Sequence, residues 1–283
     1  MNSQANLRAE VGVREPVIWV ETRSGRLAVS RQGRGLPVLC LHAIGHGGRD
    51  FEDFARCVGD SFEIIAFDWP GQGRSPPDGR MPTAAHYEAI ALEILDALKI
   101  ERAALLGNSI GGAAALRLAA HWPARAIALV LCNSGGLGAV TPAVRFIVLR
   151  MAAFFRAGER GAAWYPAAFA FYYRHMVLPR AREQGARIIA SAYEIAPILT
   201  RAWEGFASPE SDLRDLATKV ACPVLFAWTK SDRILAWSRS RKAARRFRDR
   251  TVCLFRGGHS AFLEDPEKFA QAFRRFAQKK NLR

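Results

Sequence analysis

A chain of 283 residues, half of them hydrophobic and about a quarter charged, is long enough for one large globular domain or one domain carrying an insertion. No stretch approaches the roughly 18 uninterrupted apolar residues of a membrane-spanning helix; the nearest, Phe146–Phe155, is broken by Arg150, and the opening MNSQANLRAEVGVREP has no apolar run of the signal-peptide kind. The net charge of +15 arises from 41 basic and 26 acidic residues spread along the chain. With no nucleic-acid motif beside it, that charge admits an anionic small molecule, an acidic carrier protein or a membrane surface as partner and singles out none of them.

In chain order, Val17–Thr22 and Leu27–Ser30 alternate apolar and polar residues around Ser24-Gly25, the pattern of a hairpin. Pro37–Leu41 and Phe62–Phe67 are short continuous apolar runs, the signature of strands buried on both faces. Residues 83–98 carry Ile90, Leu92, Ile94, Leu95 and Leu98 at helical spacing. Ala103–Leu106 predicts a further strand, Ile110–His121 a small-residue helix stopped by Trp122-Pro123, and Ala126–Leu131 a strand again. The alternation resumes with a strand at Pro223–Trp228, a helix near Leu235–Phe247, a strand at Val252–Phe255 and a last helix opened by Asp265 as N-cap and Pro266 in its first turn. The basic run from Arg239 to Arg250 reads as the outer face of the helix that contains it.

Strands alternating with helices build βαβ units and a parallel sheet. The roughly 90 residues between Leu131 and Pro223 far exceed the dozen or so of a simple crossover. They are rich in Ala, Arg and aromatic residues, and they predict a helical cap inserted into the sheet core. This divides the chain into a core, residues 1–134, a cap, residues 135–215, and the rest of the core, residues 216–283. The five cysteines are odd in number, and Cys40, Cys132 and Cys253 lie in apolar runs, so reduced thiols and a cytoplasmic setting are expected.

The strongest chemical signal is Gly107-Asn108-Ser109-Ile110-Gly111, placed where a buried strand gives way to a helix. A serine on so sharp a turn has a strained backbone, and its neighbours two before and two after must be tiny. A serine hydroxyl needs a base, and the base an orienting group. Of the six histidines only His259 follows the last strand, in the turn Gly257-Gly258-His259 that leads to a helix. Asp232 lies in the exit loop of the strand that resumes the sheet; the corresponding position one strand earlier holds Asn133, which is no carboxylate. Asp212 and Asp215 read as helix-start or surface charges. Two backbone N–H groups are needed for an oxyanion: Ile110, after the serine, and Ile44, in the loop His42-Ala43-Ile44-Gly45. His42 reads as an anchor of that loop. Asp68-Trp69-Pro70-Gly71-Gln72-Gly73-Arg74-Ser75 lacks the Gly-Lys-Ser/Thr of a phosphate loop and reads as a tight turn pinned by Asp68 and Ser75. No Cys or His cluster has zinc spacing, so neither metal nor cofactor is expected.

These motifs, with Ser231-Asp232 and Gly-His-Ser-Ala-Phe-Leu-Glu-Asp-Pro at 258–266, resemble those of the α/β-hydrolase family from residue 38 to the C-terminus. The resemblance implies a mostly parallel eight-stranded sheet flanked by helices, a lid over the site, and two-step acyl transfer to water. Serine at position 109 separates the chain from haloalkane dehalogenases and epoxide hydrolases, which place aspartate there. The elbow Gly-Asn-Ser-Ile-Gly-Gly is similar to that of meta-cleavage product hydrolases, which split carbon–carbon bonds. Those enzymes carry a glycine-rich stretch after the first histidine and a tryptophan after the catalytic one, where this chain has His-Ala-Ile-Gly and Ser260. The leading expectation is therefore hydrolysis of a largely apolar carboxylic ester by Ser109, His259 and Asp232. Carbon–carbon cleavage of a dienoate, and a non-catalytic binding role for the same fold, stand as alternatives.

Overall fold

The computed structural model describes residues 17–282. They form one sheet of eight strands: β1 (Val17–Thr22), β2 (Gly25–Gly33), β3 (Leu36–Leu41), β4 (Phe62–Phe67), β5 (Ala103–Ser109), β6 (Ala126–Ser134), β7 (Val224–Thr229) and β8 (Arg250–Phe255). The strand order is β1-β2-β4-β3-β5-β6-β7-β8. β2 runs antiparallel to both β1 and β4, and the five remaining pairings are parallel. The central runs are apolar because both faces are covered: the last four residues of β3 and all of β7 are buried.

Helices α1 (Glu52–Val58), α2 (Ala84–Ala97) and α3 (Ile110–His121) follow β3, β4 and β5. Four more, α4 (Pro142–Glu159), α5 (Tyr165–Tyr172), α6 (Arg182–Ala190) and α7 (Ala192–Gly205), lie between β6 and β7. Then come α8 (Trp237–Ala244), the single turn α9 (Ala261–Glu264) and α10 (Pro266–Lys279). Asp265 caps α10 by accepting from Lys268 N–H, and Thr141 does the same for Val144 at the start of α4. α1 packs on α10 and α2 on α3, so the sheet is flanked by two separate helix pairs. Among the described residues no helix is long and apolar enough to cross a membrane.

Three elements differ from the sequence expectation. β5 and β6 run on to Ser109 and Ser134, because the two strands keep pairing through Asn108↔Cys132 and Ser109↔Ser134 despite the polar residues there. α8 is shorter than residues 235–247. At its start Asp232 Oδ1 accepts from the N–H groups of Ile234 and Leu235 and holds them in a loop. At its end Arg246 and Phe247 donate to the carbonyls of Ala243 and Ala244 in tighter turns. The long insertion holds helices α4 to α7, with α4 and α7 lying along each other around a cluster of Phe154, Phe155, Tyr165, Phe169 and Trp203 rings.

The junction of β5 and α3 is the tightest point of the core. A Cβ on Gly107 would lie 2.4 Å from Gly111 O, and one on Gly111 would lie 2.1 Å from Leu41 O at the end of β3. Backbone atoms occupy both positions, so relief requires moving a strand or a helix. Gly111→Ala is therefore expected to destabilise the protein by about 1–3 kcal/mol or more, read as a shift of the urea midpoint. An unshifted midpoint would show that α3 is free to back away from β3.

Candidate active site

At the C-terminal edge of the parallel strands the chain brings together the residues that the sequence singled out. Ser109 ends β5 with φ 56° and ψ −120°, a backbone conformation that L-residues rarely adopt. It sits at the N-terminal end of α3, where the first N–H groups have no intrahelical acceptor. Ser109, His259, Ile44 and Ile110 all line one cavity of about 830 Å3.

His259 follows β8, and its ring is buried. Its Nδ1–H donates to Asp232 Oδ2 at 2.9 Å, which leaves Nε2 as the basic nitrogen. Asp232 lies in the loop after β7. Its Oδ2 also accepts from Asn133 Nδ2 at 2.6 Å, and its Oδ1 accepts from Ile234 N–H at 2.8 Å and Leu235 N–H at 2.9 Å. Burial alone would raise this carboxyl. The charge and hydrogen bond of His259, with the Leu235 and Asn133 donors, outweigh it and hold the group below the usual carboxylate range. A carboxylate so fully satisfied stays ionised beside the imidazole and fixes its tautomer.

The loop after β3 is held just as firmly. His42 donates from Nδ1 to Ala43 O at 2.7 Å and accepts at Nε2 from Trp69 N–H at 3.0 Å, while Trp69 Nε1 donates to His42 O. Burial drives the His42 pKa down to about 4, so the ring is a neutral linker. Gly45 N–H donates to Gln72 Oε1 at 2.7 Å, whereas Ile44 N–H has no acceptor among the described residues. Asp68 accepts from Gly48 N–H and Arg74 N–H, and Ser75 Oγ donates to Asp68 O. The glycine-rich segment 68–75 thus braces this loop from below.

Several polar residues near the cavity carried no assignment from sequence. Asn108 is fully buried. Its Nδ2 donates to Cys132 O and to His259 O, and its Oδ1 accepts from Ser260 Oγ at 2.8 Å, tying the serine turn to the histidine loop. His46 donates from Nδ1 to Asp50 Oδ2 at 2.5 Å, and Asp50 also pairs with Arg187 of α6. Burial opposes ionisation of Asp50, but His46 and Arg187 together hold its pKa below normal. Val177 O, in a π-helical turn (Tyr173–Val177) after α5, accepts from His259 N–H at 2.7 Å. The only hints in the sequence are local: Asn108 lies inside the glycine motif, and Ser260 stands where the meta-cleavage product hydrolases carry a tryptophan.

Glu264 of α9 is a further buried carboxyl, accepting from Gly258 N–H at 2.7 Å and Arg180 N–H at 3.2 Å. Burial pushes it from an ordinary 4.5 up to about 7, against those two hydrogen bonds. With its folded pKa raised, this group contributes stability that is complete below about 4.5 and lost as the pH rises through 7. The Glu264→Gln variant, which has no charge to bury, should lack that decline. The wild type is expected to lose up to about 3 kcal/mol relative to the variant between those limits. Chemical denaturation at a series of pH values measures it, and parallel curves would refute the buried-charge explanation.

A sequence model described as "Alpha/beta hydrolase family" matches residues 38–272. With this sheet order and a serine turn, the chain belongs to the alpha/beta hydrolase family. It is 27% identical over 299 residues to an uncharacterized protein of Mycobacterium tuberculosis, covering 96% of this chain and 84% of that one. It is 37% identical over 112 residues to the 2-hydroxy-6-oxo-6-phenylhexa-2,4-dienoate hydrolase of Comamonas testosteroni, covering 38% and 39% of the two chains. Among solved structures, a thermophilic esterase from Thermogutta terrifontis superposes with a TM-score of 0.78 at 23% identity, over 94% of this chain and 99% of that one. At that identity the superposition shows a shared fold, and function is argued from the site.

Proposed function

We propose that the protein is a serine hydrolase that cleaves a carboxylic ester of a largely apolar small molecule through an acyl-enzyme. The observation that carries this is the buried Asp232–His259 pair, with His259 and the strained Ser109 lining one cavity. Ser109 Oγ attacks the ester carbonyl as His259 Nε2 takes its proton, and Asp232 stabilises the imidazolium. The N–H groups of Ile44 and Ile110 receive the oxyanion, each worth roughly 3–4 kcal/mol at the transition state. The imidazolium then protonates the departing alcohol, and water, activated by the same histidine, releases the acid.

The apolar preference rests on the cavity wall. Val144, Val148, Met151, Phe155, Leu199 and Trp203 of α4 and α7 line it. Residues 135–215 act in this reading as the cap that sets specificity. The Comamonas relative favours a second reading, hydrolysis of a carbon–carbon bond in a dienoate, with the same serine, histidine and aspartate.

The test is turnover of a p-nitrophenyl ester series, acetate to decanoate, by wild type and Ser109→Ala. The wild type should hydrolyse at least one member, and the variant should lose roughly six orders of magnitude in kcat. A folded wild type that is inert to every ester but bleaches a dienoate would move the second reading to the front. Inertness to both would leave a binding role for the fold.

A further inference from the structure

The cavity is lopsided in charge. One wall is the apolar face of α4 and α7, while the side formed by the β7–α8 loop, α8 and the segment before β7 carries Arg214, Arg233, Arg239, Lys242 and Arg246. No aspartate or glutamate lines the cavity among the described residues. Two of the five cations are already engaged: Arg214 forks onto Asp212 at 2.8 and 2.6 Å, and Arg246 pairs with Asp215 at 2.9 Å. Arg233, Arg239 and Lys242 have no carboxylate within ion-pair distance among the described residues. Arg239 and Lys242 are one turn apart on α8, Arg233 lies in the loop before it, and all three line the same cavity as Ser109 and His259.

Arg239, Lys242 and Arg246, within the basic run from Arg239 to Arg250, are exposed to solvent and also line the cavity. Like charges so close together repel, and a concave site lined by one sign concentrates the opposite ion. Nothing in the folding of α8 requires this arrangement, because its buried residues are Ser240, Ala243 and Ala244.

We infer that the substrate is an anionic amphiphile: an ester whose apolar part fills the α4–α7 side and whose carboxylate or phosphate group rests on Arg233, Arg239 and Lys242. This rests on the ester-hydrolase reading above and names the substrate class for it. Guanidinium groups accept planar and tetrahedral oxyanions by paired hydrogen bonds, and Lys242 adds a point charge. A cavity lined by apolar residues of α4 and α7 and by these cations can bind both ends of such a molecule while its ester meets Ser109.

The experiment compares kcat/KM for matched nitrophenyl esters of equal length that end in a methyl, a carboxylate or a phosphate group. Wild type is expected to favour the anionic esters by at least about tenfold at low salt, with the advantage shrinking as ionic strength rises. The Arg239→Glu/Lys242→Glu variant, with its fold checked by thermal unfolding, should abolish the preference. The comparison of carboxylate with phosphate identifies the preferred anion. A wild type without preference, or a preference that the variant keeps, overturns the inference. Calorimetric titration with decyl phosphate, decanoate and decanol separates this from a failure of the hydrolytic reading. Tighter binding of the anions by an esterase-inactive protein sustains the rim and removes only the chemistry, and equal binding removes the rim. Binding confined to phosphatidylglycerol vesicles, with none to monomeric decyl phosphate, would make the cations a membrane contact and overturn the assignment.

Discussion

Backbone lies directly on backbone where α3 leaves the sheet. The first turn of that helix presses against the end of β3 at Leu41 and His42, a distance that leaves no room for a side chain on Gly111. This contact fixes where the helix begins and therefore where Ser109 and the N–H of Ile110 stand relative to the loop bearing Ile44. It also forces the serine into its unusual dihedrals, because β5 must turn into α3 without the spacing that a longer loop would provide. The strain is sustained by the surrounding packing: Ala114, Ala115, Leu116 and Leu118 of α3 are all fully buried.

Polar groups then lock the remaining loops to that junction. Asn108 reaches from the serine turn to the carbonyl of His259 and the hydroxyl of Ser260, so the Ser109 turn and the His259 loop share one buried amide. Asn133, itself at φ 43°, donates to Asp232 from the strand between them, and Thr229 Oγ1 donates to Gly258 O. Each such bond adds little net stability, but a partner left unpaired in the interior is costly. The arrangement is therefore specified more sharply than it is stabilised. Asn133 is informative here: at the end of β6 it donates to Asp232 Oδ2, the same oxygen that accepts from His259.

The strands and the serine turn were legible in the sequence because their signals are local. A buried parallel strand is a short apolar run whatever its partners are, and the glycine spacing around Ser109 reports a backbone need within five residues. His259 and Asp232 could be singled out because chain order and strand ends restrict them, and the structure pairs the two. Asn108, Asn133 and Glu264 could not be assigned, since each acts through a partner whose proximity exists only after folding; Asn108 and Ser260 are 152 positions apart. Arg239 and Lys242 look like an ordinary solvated helix face, and only their place in the cavity lining distinguishes them. The insertion announced its helices through composition and length, but the way α4 and α7 wall the cavity depends on tertiary packing.

The carbonyl of Val177 makes the insertion something other than an interchangeable cover. It emerges from a π-helical turn, a form that holds one residue more than the α-helical equivalent, and it anchors the backbone of His259. Removing one residue from Tyr173–Val177 would rotate that carbonyl by about 100° about the helix axis and withdraw it from the histidine. Side chains along α4 and α7 can vary to suit new molecules, but the length of this turn cannot. Any attempt to transplant the insertion between related proteins has to preserve the count of residues there before it considers their identity.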